Sequence, residues 1–595
     1  MFIGQVGVGK TTAICHLFQL VMESPKKKKI GNQEKDIKVI EELMTTGGGY
    51  TTLCEVVIKQ DSSTFIEIDP YSPEEIRKTI DDFCMSIWLK TYPDLNKDSD
   101  QGTISSELTR AVRNLVNLPP KKEKEPDPDI KFASNFDKSS FTDFSNEVYN
   151  KANMAGRNEV QIFPKEGEAN LKSWLKVTFS NLNLGRIPSF SIPRKIVIHI
   201  QPSIISVGYD RIDSIVDTKG VDAGQFNSQV LDTYIRDRNN SICFFTENFL
   251  AAPTNVIEII ERHLTKEAID ISTKMVLFVM PRGNQPATVL GQEGTVGDRD
   301  TGISIKFNTI HDIFTARGIS FPKENILFYD PLEYYEAVGV DHRKLQDIEQ
   351  KDIDNERKRI FTEIEKIVQR REDLVWNEVQ DKEKLFLEIK DGGGLDHKEE
   401  QLIKDAQPRI IALGQLNFVN ADRFWEEYQK PWLKIRHVMT LRATVNRYGI
   451  YDQKIDMFYD AKPVVERLVR QLSTRHKDKI LAVISEIKAQ VSETSELQRL
   501  MLILEERVNS VFEEFVRENA NKMKEYLEKV VFYPQDNTNQ FWLKLQERWG
   551  GGTGYRADVL NIIENQLGDY EGFLQKTAED LWEEKVINKV LDFLG

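Results

Sequence analysis

The sequence predicts an α/β domain with a mostly parallel sheet and helices on both faces. A large, partly helical insertion interrupts it, and an all-α bundle or stalk follows. Three observations lead there. Short apolar runs alternate with helix-length segments in the first part of the chain, as in βαβ units. That rhythm breaks between Ser72 and Pro193. After about Val340 long, charged, amphipathic stretches take over. The expected domains are residues 1–71 with 194–338, an insertion at 72–193, and a helical region at 339–595.

The first element is the opening stretch "MFIGQVGVGKTT". Gly4 to Thr11 read G-x-x-x-x-G-K-T, the pattern of a phosphate-binding loop. Its backbone N–H groups (Gly4, Gln5, Val6, Gly7, Val8, Gly9, Lys10, Thr11 and Thr12) would cradle nucleotide phosphates. Lys10 would reach the β- and γ-phosphates, and the Thr11 hydroxyl would face Mg²⁺. Only Met1, Phe2 and Ile3 precede the loop, too few for a full strand. The coding sequence is therefore expected to begin upstream, and this end of the chain to fray.

Next, "TTAICHLFQLVMES" keeps Ile14, Leu17, Phe18 and Val21 at helical spacing, which sets a helix N-terminus against the anion. Lys26 to Lys29 read as a solvated turn. "TTGGGYTTLCEVVIKQ" reads as a glycine-rich loop feeding a strand, with "TFIEIDP" as its hairpin partner. In the insertion, Ser72 and Pro73 start a helix, and "PPKKEKEPDPD" (119–129) has the composition of a disordered segment. The strand signal returns in "KIVIHIQP", "DSIVDTKG", "SICFFTE", "KMVLFVMP" and "NILFYDP". Such fully apolar strands fit a sheet covered on both faces. In the helical region Ile480, Ile484, Ile487 and Val491 form one stripe on one helix. Trp425, Trp432, Trp542 and Trp549 read as core or interface anchors, and "KIRHVMTLRATVNRYGIY" (434–451) as a solvated helix face.

Composition narrows the function. Hydrophobic residues make up 40% and charged residues 29%, with a net charge of −14, which disfavours broad coating of nucleic acid. No run is long and apolar enough for a signal peptide core or a transmembrane helix. Cys15, Cys54, Cys84 and Cys243 lack metal-type spacing and read as reduced, buried thiols of a cytoplasmic protein. The eight histidines form no zinc signature, and His199 reads as a strand residue. No serine-hydrolase elbow is present.

Two further segments carry chemistry. In "IDSIVDTKGVD" a strand ends at Asp217, which would reach Mg²⁺, and the Gly220 amide would bond a γ-phosphate. A plain turn after a strand is the competing reading. In the glycine-rich loop, Thr51 or Thr52 would close on Mg²⁺ and the γ-phosphate, although three glycines also make an ordinary hinge.

A phosphate loop, a threonine-bearing loop and then "VDTKG", followed by β/α units, resemble the P-loop GTPases. The insertion and the helical half resemble the dynamin-like branch. The resemblance implies GTP (or ATP) and Mg²⁺ binding, hydrolysis, and nucleotide-driven self-association. The chain departs from that family in three ways. "KMVLFVM" runs into "PRGNQP" without the base-selecting Asp, leaving Arg282 and Asn284 as candidate base contacts. Val221 stands where Ras-like members place a water-orienting Gln, so Lys10, Gln5 and Thr52 become the catalytic candidates, with Lys219 or a partner chain as further sources. Val6 is branched where a glycine would admit an arginine finger, so slow turnover is expected.

The leading expectation is therefore a Mg²⁺-dependent NTP-hydrolysing switch whose helical region drives assembly or binds a protein partner. A membrane surface is a further open partner class. The alternatives are a nucleotide-binding scaffold with little turnover, or an ATPase of a bacterial defence or nucleic-acid-linked system.

Overall fold

A computed structural model describes residues 1–5, 7–30, 33–44, 53–95, 106–118, 127–202, 204, 212–219, 241–253, 257, 273–283, 285–291, 294–319, 321–331, 350–390, 395–416, 423–433, 435, 438–451, 455–549, 553–568 and 570–594. They form two units. One comprises Met1–Leu95 with Thr103–Arg371, and the other is chiefly Glu372–Gly595.

The first unit is built on a nine-stranded mixed sheet. In chain order its strands are β1 (Phe2–Ile3), β4 (Glu55–Gln60), β5 (Phe65–Pro70), β6 (Gln161–Ile162), β7 (Pro193–Ile200), β8 (Ser214–Asp217), β9 (Cys243–Asn248), β10 (Met275–Met280) and β13 (Ile326–Phe328). A separate ribbon holds β2 (Val21–Ile30) and β3 (Gln33–Glu42), and a two-residue hairpin holds β11 (Leu290–Gly291) and β12 (Gly294–Thr295). The spatial order is β13-β10-β9-β1-β8-β4-β7-β5-β6. Pairing is parallel from β13 to β8 and between β4 and β7. It is antiparallel at β4–β8, β5–β7 and β5–β6. The expected hairpin of β4 with β5 does not form, because β7 lies between them and ladders with both.

Side chains alternate between two cores, one on each face, which is why these strands read as unbroken apolar runs. Phe2, Phe244, Val276 and Phe278 face a core shared with α1 (Lys10–Leu17) and α6 (Leu171–Asn183). Ile3, Phe245, Leu277 and Val279 face the other core, with Ile310 and Phe314 of α7 (Arg299–Ala316). The predicted first helix stops at Leu17, and Gln19 turns the chain at φ 56°. Val21 therefore begins β2, and Lys26 to Lys29 lie in that strand rather than in a turn.

The segment expected as an insertion contributes α2 (Pro73–Thr91), α3 (Ser106–Leu115), α4 (Pro128–Ala133), α5 (Phe141–Ala152), β6 and α6. Ser72 and Glu75 cap α2 reciprocally, with Pro73 in its first turn. The end of the segment expected to be disordered is structured. Asp127 caps α4, and Asp129 is buried in an ion pair with Arg113; 119–126 lie outside the described residues. Leu175, Phe179 and Leu182 of α6 belong to the main core, so this helix is part of the sheet domain's own packing.

Helix α8 (Gln350–Lys390) contains the division between the units. On the first unit, its Ile360, Ile364 and Ile367 join the α1-side core. Phe361 meets Phe18 edge-on at 5.4 Å, and the buried Arg357 donates to the His16 carbonyl at 3.0 Å.

The second unit is helical. It comprises α9 (His397–Ile411), α10 (Arg423–Tyr428), α11 (Lys430–Leu433), α12 (Val438–Asn446), α13 (Ala461–Lys488), α14 (Glu496–Tyr526), α15 (Gln540–Glu547), α16 (Tyr555–Leu567), α17 (Tyr570–Leu581) and α18 (Asn588–Leu594), with the small hairpin β14 (Ile450–Tyr451) and β15 (Ile455–Asp456). Ile480, Ile484 and Ile487 are buried as their spacing requires. Trp425, Trp432 and Trp542 are core anchors, and Trp549 packs at the edge. Helix α12 corrects one expectation: Val438, Met439, Leu441, Ala443, Thr444 and Val445 are buried, so this helix packs into the core instead of presenting a solvated face. The glycine clusters at 392–394 and 550–552 lie outside the described residues. Among the described residues no helix is long and apolar enough to cross a membrane.

Candidate functional site

Although β1 is short, it is centrally placed. Its neighbours are β8 on one side (Phe2 opposite Asp217) and β9 on the other (Phe2 opposite Phe244, Ile3 opposite Phe245). The Met1 carbonyl accepts from Phe244 N–H at 2.7 Å. The Phe2 carbonyl accepts from Thr218 N–H at 3.2 Å and from its hydroxyl at 2.8 Å. Phe2 stacks on Phe244 at 4.8 Å and meets Phe278 and Phe18 edge-on at 5.8 and 6.3 Å. This aromatic wedge supplies the anchoring that ladder length cannot, and Phe2 and Ile3 are both buried instead of frayed.

From that anchor the chain turns through Gly4–Gly9 into α1. Gly7 and Gly9 adopt φ of 77° and 99°, the left-handed region where a side chain is strained. A Cβ on Gly4 would sit 2.5 Å from the Thr246 carbonyl, so only glycine lets the loop pass β9. Lys10, the first residue of α1, is 6% exposed and folds back beneath the loop, donating to the Gly4 carbonyl at 3.0 Å and the Gln5 carbonyl at 3.3 Å. Burial lowers its pKa, while the Asp217 charge opposes that shift.

The Thr11 hydroxyl donates to Asp217 Oδ2 at 2.6 Å across 206 residues of sequence. Asp217 is fully buried. Burial pushes its carboxyl up, against the pull of Lys10 and the Thr11 hydrogen bond. Its other oxygen, Oδ1, has no hydrogen-bond partner in the structure. A buried carboxylate oxygen without a donor beside a threonine hydroxyl suits a hard cation that takes its remaining ligands from water and phosphate. The chemistry of these two residues fits Mg²⁺, which Thr11 and Asp217 would hold. Among the described residues no cluster of three or more His, Cys, Asp or Glu could hold a metal by itself.

Arg282, a candidate base contact, lies instead against the loop, donating to the Gly7 carbonyl at 3.0 Å. Its backbone is braced on both sides. Arg299 donates to the Pro281 carbonyl at 3.3 Å and also to the Gly283 carbonyl, and it pairs with the buried Asp330. Gln5 offers its carbonyl to Lys10 and Val8, and Val8 is buried. Thr12 lies in α1, and Lys219 follows β8 half-exposed. Val6, Thr51, Thr52, Gly220, Val221 and Asn284 lie outside the described residues.

Two contacts at the site have no local signal in the sequence. Asn183, buried at the end of α6, accepts from Leu53 N–H at 2.8 Å, just past Thr51 and Thr52. Glu42 faces His16 at 3.6 Å behind the site. Neither contact joins residues close in sequence. Elsewhere, His199 stacks on Phe65 at 4.0 Å and bonds Asp61 at 2.9 Å, as befits a strand residue. All four cysteines are buried and outside any disulfide.

At the end of β9, Glu247 is 7% exposed, and burial pushes its carboxyl up to about 7, with Lys306 opposing. A carboxyl raised in the fold favours folding when protonated, and that advantage fades as pH climbs from the unfolded value near 4.5 through about 7. Glu247→Gln should therefore be more stable than wild type at pH 8, with the gap closing toward pH 5. At about 1.4 kcal/mol per pH unit of displacement, discounted for partial solvent contact, the pH 8 gain should be about 1–2 kcal/mol. Thermal melts of both proteins across that range check it, and parallel melting curves at every pH would refute it.

No protein-family model matches the chain, and no curated protein does. Two similar solved structures are both described as an oligomerised bacterial dynamin pair, with a mechanism for long-range sensing and tethering of membranes. They are 11% and 12% identical, with TM-scores of 0.24 and 0.25. Each match covers 99% of this chain, and 69% and 72% of the respective neighbour. Scores this low leave the fold to be read from the chain's own geometry.

Proposed function

We propose that the chain is a Mg²⁺-dependent nucleoside-triphosphate switch that hydrolyses its nucleotide slowly, with GTP as the expected substrate and ATP as the alternative. The observation that carries this reading is the Thr11–Asp217 hydrogen bond beside the buried Lys10. A hydroxyl, a carboxylate and a lysine from two distant segments converge at the N-terminus of α1, beside a loop of glycines. In the proposed complex, loop amides and Lys10 hold the phosphates, while Thr11 and Asp217 hold the ion, which neutralises charge on the β- and γ-phosphates when bound. Arg282 keeps the loop in shape through the Gly7 carbonyl. GTP is preferred on the order of the sequence motifs. For the helical unit we propose self-association or partner binding, supported by Leu374, Val375, Trp376 and Val379, all exposed on one short stretch of α8.

Fluorescent GTP and ATP titrated with Mg²⁺ and with EDTA test the reading. Micromolar binding that weakens at least tenfold in EDTA, and likewise in Thr11→Ala, is expected. Equal affinity under all three conditions, or no binding of either nucleotide, would falsify it. Single-turnover hydrolysis then separates a switch from a scaffold that leaves its nucleotide intact.

A further inference from the structure

The turn that leaves β10 is held by its own side chains, by α7 and by the end of β13. Met280 ends the strand, and Pro281, Arg282 and Gly283 lead toward the short helical turn Pro286–Thr288. Arg282 N–H donates to the Gln285 side chain at 3.3 Å, and Gln285 N–H to the Arg282 carbonyl at 3.1 Å. Helix α7 presses on the same turn, where a Cβ on Gly302 would overlap the Pro286 carbonyl, so only glycine permits the approach. From β13 the chain continues one residue past its ladder, with Tyr329 N–H donating to the Val279 carbonyl at 3.0 Å, and delivers Asp330.

Arg299 of α7 joins these pieces. It donates to the Pro281 carbonyl at 3.3 Å and to the Gly283 carbonyl, and it pairs with Asp330, which is 2% exposed. The two carbonyls flank Arg282 in the chain. A planar guanidinium meets several acceptors at fixed angles, whereas an ammonium is a point charge. The buried carboxylate supplies the counter-charge that makes the inward guanidinium tolerable. Arg299 and Asp330 thus fix where Arg282 starts, and Arg282 then reaches the phosphate loop. Its guanidinium donates to the Gly7 carbonyl at 3.0 Å, and one of its nitrogens lies 3.0 Å from where a Cβ on Gly9 would stand. Gly7 and Gly9 both hold positive φ. Glycine adopts that shape without strain but does not enforce it, so a bond from outside the loop matters.

We propose that Arg299 and Asp330 are positioning residues for the phosphate loop, acting through Arg282 to hold Gly7 in the shape that receives a triphosphate. This role rests on the nucleotide reading and adds to it a determinant outside the loop, on α7 and β13. Because the relay ends on a loop carbonyl, its effect falls on the phosphates and is blind to the base. One cut along the relay should do the same harm wherever it is made, and a second cut should add little.

The test uses the full chain with Mg²⁺ and measures GTP, ATP and inorganic tripolyphosphate by displacement of a fluorescent triphosphate. Arg299→Lys should weaken all of them about tenfold, as should Arg282→Ala and Asp330→Asn. In the double variant Arg282→Ala/Arg299→Lys, affinity should stay within about twofold of Arg282→Ala alone, because both changes cut one path. Damage to the fold at large would add to the loss instead of saturating it. If Arg299→Lys melts near the assay temperature, the isosteric Asp330→Asn replaces it in the same cycle. Early melting of both would make the pair an element of the fold only, and would overturn the role. So would wild-type affinity in Arg299→Lys or Arg282→Ala, additive losses in the double variant, or a loss for GTP and ATP that spares tripolyphosphate. Each of those leaves the nucleotide reading standing. No binding of any probe by the wild type would remove that reading, and this role with it.

Discussion

Lys10→Ala should weaken nucleoside-triphosphate binding at least a hundredfold, the largest functional effect we expect from any single substitution. The ammonium lies under the loop on the Gly4 and Gln5 carbonyls, and the next residue, Thr11, bonds Asp217. Facing a triphosphate it would exchange those carbonyls for phosphate oxygens. Charge-assisted bonds of that kind contribute about 1.5–3 kcal/mol each in a site poor in water, and two of them amount to more than a hundredfold in affinity. The substitution also strips Asp217 of the cation that offsets its burial. Lys10→Arg should not restore binding, because a planar guanidinium does not fit the space a single ammonium fills beneath the loop. Fluorescence anisotropy with a labelled triphosphate measures both variants, and affinity in Lys10→Ala within tenfold of wild type would refute the assigned role.

Phe2→Ala should produce the largest loss of stability, about 3–5 kcal/mol, by opening a cavity among three aromatic rings. The ring is 2% exposed and touches Phe18, just past α1, Phe244 of β9 and Phe278 of β10. Because β1 has only two residues in the sheet, little else ties the loop to its floor. Nucleotide affinity should therefore fall together with the unfolding midpoint. Phe2→Leu keeps most of the volume and should lose less than half as much. Urea unfolding followed by fluorescence tests this, and a Phe2→Ala midpoint equal to wild type would show that the stub is held by something else.

Much of the first unit was legible because its signals are local. The glycines of Gly4–Gly9 mark positive φ and a close approach to Thr246, and the apolar runs of β9 and β10 mark strands buried on both faces. The stripe through Ile480 and Ile487 marked the bundle core equally well. Pairing order was not legible. β4 and β5 are adjacent in sequence and both alternate, yet β7, more than a hundred residues on, fits between them. A lysine run reads as a turn by composition, but cross-strand partners hold Lys26–Lys29 in a ladder. At the site, Thr11 and Asp217 were each predicted from their own motif. Arg282 on the loop and Asn183 on Leu53 depend on tertiary neighbours that no local pattern encodes.

The seat of α8 on α1 has a mechanical consequence. Eight helical residues span about 12 Å, too short a rod to bend between its ends. Its start bears Lys10 and Thr11, while its finish is gripped by Arg357 at the His16 carbonyl and by Phe361 against Phe18. A tilt imposed where phosphate would sit is therefore expected to reach the 350–371 stretch at the opposite tip.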